Sequence, residues 1–245
     1  MIRNEKIERI AKEREILEKT INSLIQDRIS HIQIASPELM PYGWRKSGKG
    51  RTVWRIIEEI IGQNLEMFGS NYGLESVIPA DSEVGVYDFE FELEAGFKSF
   101  VNIKSAVQGG RVNKDDVSKA DGLISFIENN PECNLYVATF LIKFNDDMKV
   151  ELLECIVCPT AWIPDVYVNP SNNGNLQSAK FKNIDEMVHR TNEEFLKILK
   201  KENKIAKLGG RTKIKKSITQ RVANGEDISE IADLLGVRVK DLMEI

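Results

Sequence analysis

With 245 residues, 42% hydrophobic and 29% charged, the chain is long enough to bury a core and too evenly mixed to be disordered. Its longest apolar runs, such as residues 135–142, fall far short of the roughly 20 that span a bilayer, and the N-terminus opens on charge instead of a signal sequence, which points to a cytoplasmic protein. Two histidines and an odd three cysteines exclude a histidine-rich metal centre and a disulfide framework, so chemistry must rest on carboxylates and lysines.

The formal charge of −4, from 34 basic and 38 acidic residues, argues against a nucleic-acid partner only if it is evenly spread. It is not. Between residues 200 and 221 nine basic residues face Glu202 alone, so this window carries +8 and the remainder −12. A second cluster, residues 42–51, sets Arg45, Lys46, Lys49 and Arg51 among three glycines and two aromatics. Two such clusters in an acidic chain favour a phosphate-rich partner.

In chain order, residues 3–34 read as one long helix with Ile7, Ile10, Leu17, Ile21 and Leu24 on a heptad-like seam broken at Arg14. The seam serves equally for packing on its own domain or for a dimer contact. After the basic loop, Thr52 is an N-cap for a helix to Phe68, ended by Gly69. Residues 86–93 alternate, with Phe89, Phe91 and Leu93 on one face and Asp88, Glu90 and Glu92 on the other. A turn at residues 94–97 leads into a return strand over 99–105. A short helix over 117–128 stops at Asn129-Asn-Pro131, and two long apolar strands follow at 134–144 and 150–157. Residues 164–180 form a polar loop or hairpin rich in amides, and 184–206 read as helix. Leu208-Gly-Gly210 then hinges into a small helical unit. The expected divisions are an N-terminal helix (1–38), an α/β core with a central mixed sheet (39–206) and a basic arm with a helical unit (207–245).

The residues that can carry chemistry lie on the 86–105 hairpin. Asp88 occupies its first strand, and the second offers Asn102 and Lys104 on one face while Val101 and Ile103 point to the core. A carboxylate and an ammonium on adjacent strands suit phosphodiester hydrolysis: the first binds a hard divalent cation, the second orients or deprotonates water. On the preceding helix, at about 100° per residue, Glu58 lies at the edge of the buried stripe and Glu59 points to solvent, which selects Glu58 as an assisting carboxylate.

Over roughly residues 50–157 this order of helix, acid-bearing strand, turn, strand ending in x-x-Lys, helix and further strands resembles the PD-(D/E)xK nuclease superfamily, in particular type II restriction endonucleases. The match reads Tyr87-Asp88, thirteen intervening residues, then Asn102-Ile103-Lys104. It departs from the family at Tyr87, where proline is usual, and at Asn102, where Asp or Glu is usual. The resemblance implies a restriction-endonuclease-like fold and Mg²⁺-dependent cleavage of double-stranded DNA at a specific, palindromic site, giving 5′-phosphate ends. It also implies a homodimer, since a two-fold protein matches a two-fold sequence. Asp88 would ligate the metal, Asn102 or Glu90 complete the site, Glu58 assist, and Lys104 position the attacking water. Alternatives are a structure-specific or repair nuclease of the same superfamily and a non-enzymatic DNA-binding protein.

Other features distribute around that reading. Residues 228–245 resemble a helix-turn-helix, with Ala232 at the helix crossing, Gly236 in the turn and Ile231, Leu235, Val237 and Leu242 in contact. Arg211, Lys213, Lys215 and Lys216 precede it as DNA-contacting cations. Asn172, Asn173, Asn175 and Gln177 are amides able to read base edges. Cys155 and Cys158 read as buried thiols, and His31 and His189 take no role.

Overall fold

The computed structural model describes residues 3–45, 53–81, 85–93, 98–110, 114–235 and 239; of Arg211 and Thr212 it describes the backbone. The chain is α/β. Among the described residues six strands form a central mixed sheet in the order β1 (His31–Gln33), β7 (Lys149–Pro159), β6 (Asn134–Phe144), β4 (Lys98–Val107), β3 (Phe89–Glu92), β2 (Ser76–Pro79). Only the central β4–β6 pair is parallel; the other pairs are antiparallel. The two long apolar runs become β6, buried along nearly its whole length, and β7, which alternates buried with more accessible residues until its last three, 157–159.

Register assigns the helices to faces of the sheet. Ser99 on β4 donates to Glu13 of α1 (Arg3–Leu24) at 2.9 Å, while its neighbour Phe100 stacks edge-on with Phe126 of α3 (Ala120–Asn129), ring centroids 4.9 Å apart. Adjacent strand residues point to opposite faces, so α1 covers one side and α3 the other. Helix α2 (Trp54–Phe68) joins α1 on the first side, burying Ile57, Ile61 and Leu65. Helix α4 (Asn192–Lys207) packs on α3, opened by a capping box in which Thr191 and Glu194 satisfy each other's backbone donors.

Several sequence expectations are corrected here. The first helix ends at Leu24, passes through a π turn at Ile25–Ile29, and gives way to β1, which extends the sheet beside β7. Its seam of Ile10, Leu17, Ile21 and Leu24 is spent on the chain's own core. The expected 117–128 helix divides: residues 115–119 are a strand, β5 (Asp115–Lys119), and the helix starts at Ala120. The expected 184–206 helix starts only at Asn192, after a short 3₁₀ turn at Ile184–Glu186. The amide-rich stretch is a hairpin of β8 (Tyr167–Asn169) and β9 (Asn175–Ser178), which pairs with β5 into a second, three-stranded sheet. Thr52 and the 94–97 turn lie outside the described residues.

Beyond the glycine pair, with Gly209 at φ +91° and Gly210 at +85°, the basic arm is a helix, α5 (Arg211–Ala223), packed on α6 (Ile228–Leu235). Ile231 and Ala232 are buried against Ile218 and Leu235, and Ile214 is buried against Ile205 of α4. Gly236, Val237 and Leu242 lie outside the described residues. Among the described residues no helix is long and apolar enough to cross a membrane.

Candidate active site

Asp88 immediately precedes β3 and is fixed by its backbone before its side chain is considered. Its N–H donates to Val101 O at 2.7 Å, and its carbonyl accepts from Ala80 N at 2.9 Å, so it is clamped between β4 and the end of β2. The carboxylate folds back to accept the Ile103 N–H of β4. Facing it, α2 runs over the same edge of the sheet, and between them opens a cleft of about 820 Å³ lined by Glu58, Glu59, Gln63 and Glu66 from the helix and Val77, Asp88, Phe89 and Ile103 from the strands.

The electrostatics of this cleft are those of paired acids. Burial pushes the Glu58 carboxyl up to about 7, with the Asp88 charge adding to the rise and Lys104 and Arg55 opposing it. Asp88 is reached by solvent from the cleft, yet the protein around it also raises its proton affinity, against the Ile103 N–H and the Lys104 charge. Among the described residues the side chains of Glu58 and Lys104 form no hydrogen bond or ion pair. Two carboxylates and a half-buried ammonium therefore act on one another, Asp88 through a carboxylate already held by the Ile103 N–H. Lys104 is not a wall of the cleft; its charge acts on both acids from the strand beside them.

The other candidates stand apart from this trio. Asn102 is turned to the α3 face of β4, 7% exposed, and its Nδ2 donates to Val86 O at 3.0 Å and Val117 O at 3.2 Å. Its Oδ1 is buried and accepts no hydrogen bond from the described residues. Glu90 pairs with Lys98 at 2.9 Å and does not line the cleft. Glu59 also lines the cleft but is exposed, and accepts from Gln63 at 2.7 Å.

Of the basic candidates, Arg45 is exposed beside the Tyr42 ring, 5.7 Å from its centroid, and Lys213, Lys215 and Lys216 are exposed along α5. Lys46, Lys49 and Arg51, with the side chain of Arg211, lie outside the described residues. Three of the four amides share one partner that the sequence did not single out. Asn172 Nδ2 donates to both oxygens of Asp116 at 2.9 Å, Asn175 Nδ2 to one at 3.1 Å and Gln177 Nε2 to the other at 2.6 Å. Asn173 occupies the hairpin turn with φ +51°. Cys155 and Cys158 are buried free thiols whose proton affinity burial raises, and His189 stacks on Trp162 at 4.1 Å.

The residues present suit magnesium better than a softer ion. Among the described residues no group of three His, Cys, Asp or Glu side chains converges as a metal cage, but Mg²⁺ takes one or two carboxylates and fills its octahedron with water and phosphate oxygens. Glu58 and Asp88 would be the carboxylates to hold it, and a dication would relieve the repulsion that raises the Glu58 carboxyl.

No family model and no curated protein matches the chain. Among solved structures it is similar to the NlaIV restriction endonuclease, with 11% sequence identity and a TM-score of 0.48 over 79% of this chain and 80% of that one.

Proposed function

We propose that the chain is a Mg²⁺-dependent endonuclease that hydrolyses phosphodiester bonds in double-stranded DNA at a specific sequence, leaves 5′-phosphate ends and acts as a homodimer in a restriction system. The observation that carries this reading is the cleft itself: Glu58 and Asp88 from different elements, each with raised proton affinity, under the field of a Lys104 that no other group engages. A bound dication supplies charge neutralisation at the phosphate and acidifies water. Asp88 and Glu58 hold it, Asp88 being immobilised by three backbone hydrogen bonds, two to its peptide unit and one to its carboxylate. Lys104, as an ammonium, donates a hydrogen bond that orients the attacking water. Asn102 spends its amide nitrogen on Val86 and Val117 and Glu90 pairs with Lys98, so both support the hairpin. Arg45 and the lysines of α5 hold the DNA backbone.

The test is incubation of plasmid DNA of varied sequence with and without Mg²⁺. Discrete fragments only with the metal are expected, and Asp88→Ala and Lys104→Ala should each lower the rate by two or more orders of magnitude while leaving duplex binding in place. Uncut DNA throughout, or full activity in either variant, overturns the reading. Preference for branched over linear duplex would move it to a structure-specific nuclease.

A further inference from the structure

The second sheet holds an arrangement that neither the cleft nor the basic helix uses. Asp116 on β5 is exposed, yet three side-chain amides from the β8–β9 hairpin, Asn172, Asn175 and Gln177, all turn their nitrogens to its carboxylate, between 2.6 and 3.1 Å away. An ionised carboxylate is an acceptor only, so it fixes which end of each amide faces inward. The oxygen of each amide then points away from Asp116. Gln177 Oε1 is taken by Asn169 Nδ2 at 3.0 Å, whereas Asn172 Oδ1 and Asn175 Oδ1 accept nothing from the described residues. Asn172 spends its nitrogen on both Asp116 oxygens and is left as a pure acceptor.

We infer that Asp116 is a positioning residue for sequence discrimination, locking Asn172 and Asn175 as outward acceptors for the exocyclic amino groups of adenine or cytosine in the major groove. An unfixed asparagine can present either its amide nitrogen or its oxygen and so tolerates keto and amino bases alike. A locked one rejects the keto bases, because their oxygens meet an oxygen. The flanks suit a duplex: Lys114, exposed, lies 4.0 Å from the centroid of the Tyr167 ring, and Lys119, exposed, pairs in register with Asn175.

The array is also tied to the proposed active strand. β5 carries a bulge between Asp116 and Ser118, and the displaced residue, Val117, gives its carbonyl to Asn102 Nδ2 at 3.2 Å. One residue therefore separates the amide array from β4, and Asn102 is two residues from Lys104. The inference rests on duplex DNA being the partner, and its test keeps binding apart from cutting.

Duplexes with a randomised core are selected by binding in metal-free buffer with the wild-type chain and with Asp116→Ala, and the same library is cut with Mg²⁺ in parallel. The wild type should enrich a motif with an amino base at two or more positions. Asp116→Ala should lower that preference at two of them by about tenfold or more, with overall duplex affinity changed by less than about threefold. Should circular dichroism show Asp116→Ala unfolded, Asn172→Ala and Asn175→Ala take its place, each relaxing one position. Unchanged base preferences in the folded variants, or a wild type that enriches no motif, overturn the inference. Selective binding without cleavage leaves it standing and removes the nuclease reading; cleavage at one shared motif by wild type and Asp116→Ala does the reverse.

Discussion

Replacing Glu58 by glutamine tests the charge balance of the cleft without any substrate. Folding raises this carboxyl from 4.5 to about 7, so the folded chain binds the proton more tightly than the unfolded one. The contribution is therefore complete below pH 4.5 and is lost as pH climbs to about 7, beyond which the ionised Glu58 is a constant burden. At about 1.4 kcal/mol for each tenfold change in proton affinity the burden has a ceiling of about 3 kcal/mol, and solvent reaching a half-buried side chain roughly halves it. Glutamine copies the neutral acid in shape and hydrogen bonding. Urea denaturation with EDTA should thus find Glu58→Gln close to wild type at pH 5 and about 1.5 kcal/mol more stable at pH 8. A difference that is flat between these pH values, or a variant less stable at pH 8, would refute the claim that burial and Asp88 together oppose ionisation here. Repeating the pH 8 measurement with Mg²⁺ extends the test: a dication held by Glu58 and Asp88 stabilises the wild type by mass action and leaves the variant much less affected.

Other changes probe the supports of the site and the basic helix. Asn102→Asp removes the donors to Val86 and Val117 and sets a carboxylate against their carbonyls, so it should cost about 2 to 3 kcal/mol of stability by urea midpoint and bring no gain in Mg²⁺ stabilisation. A gain would show that the amide belongs to the metal site. Glu13→Ala strands Ser99, Asn134, Tyr136 and Arg9 around a buried hole, and a loss of about 3 to 5 kcal/mol is expected from the same measurement. Changing Lys213, Lys215 and Lys216 together to glutamine should flatten the dependence of log binding constant on log salt by about 2 to 3, read by fluorescence anisotropy on a duplex of arbitrary sequence.

Much of the architecture was legible in the sequence because it is written in local period. Alternation over Phe89 and Phe91 gives β3, and the 3.6-residue stripe of Ile57, Ile61 and Leu65 gives α2 and the placement of Glu58 at its edge. The faces that make Glu58, Asp88 and Lys104 candidates were read from the same periods. What failed depended on partners distant in sequence. Residues 31–33 continue a helical pattern but are captured as strand β1 by the edge of β7, and Val117 to Lys119 are drawn from helix into strand by pairing with β9. Asn102 could be placed on a face by alternation, but its bonds to the carbonyls of Val86, before β3, and of Val117, at the β5 bulge, are announced by no pattern. The same holds for Asp116, whose significance lies in amides about sixty residues away.

The three residues Asn102, Ile103 and Lys104 show why one short strand segment can organise a site whose motif looks incomplete. Asn102 reaches outward through its side chain to β5 and to the backbone two residues before Asp88; Ile103 gives its peptide N–H to the Asp88 carboxylate; Lys104 contributes charge to Asp88 and Glu58. Where a carboxylate at position 102 would add a third negative charge to two acids that already repel, the amide supplies donors and leaves the charge unchanged. A metal site built on two carboxylates then leaves more of the cation's coordination to water and phosphate, a division that suits Mg²⁺. The asparagine ties the hairpin to the second sheet, and the acidic average of the chain resolves into a cleft lined by carboxylates and a separate basic helix.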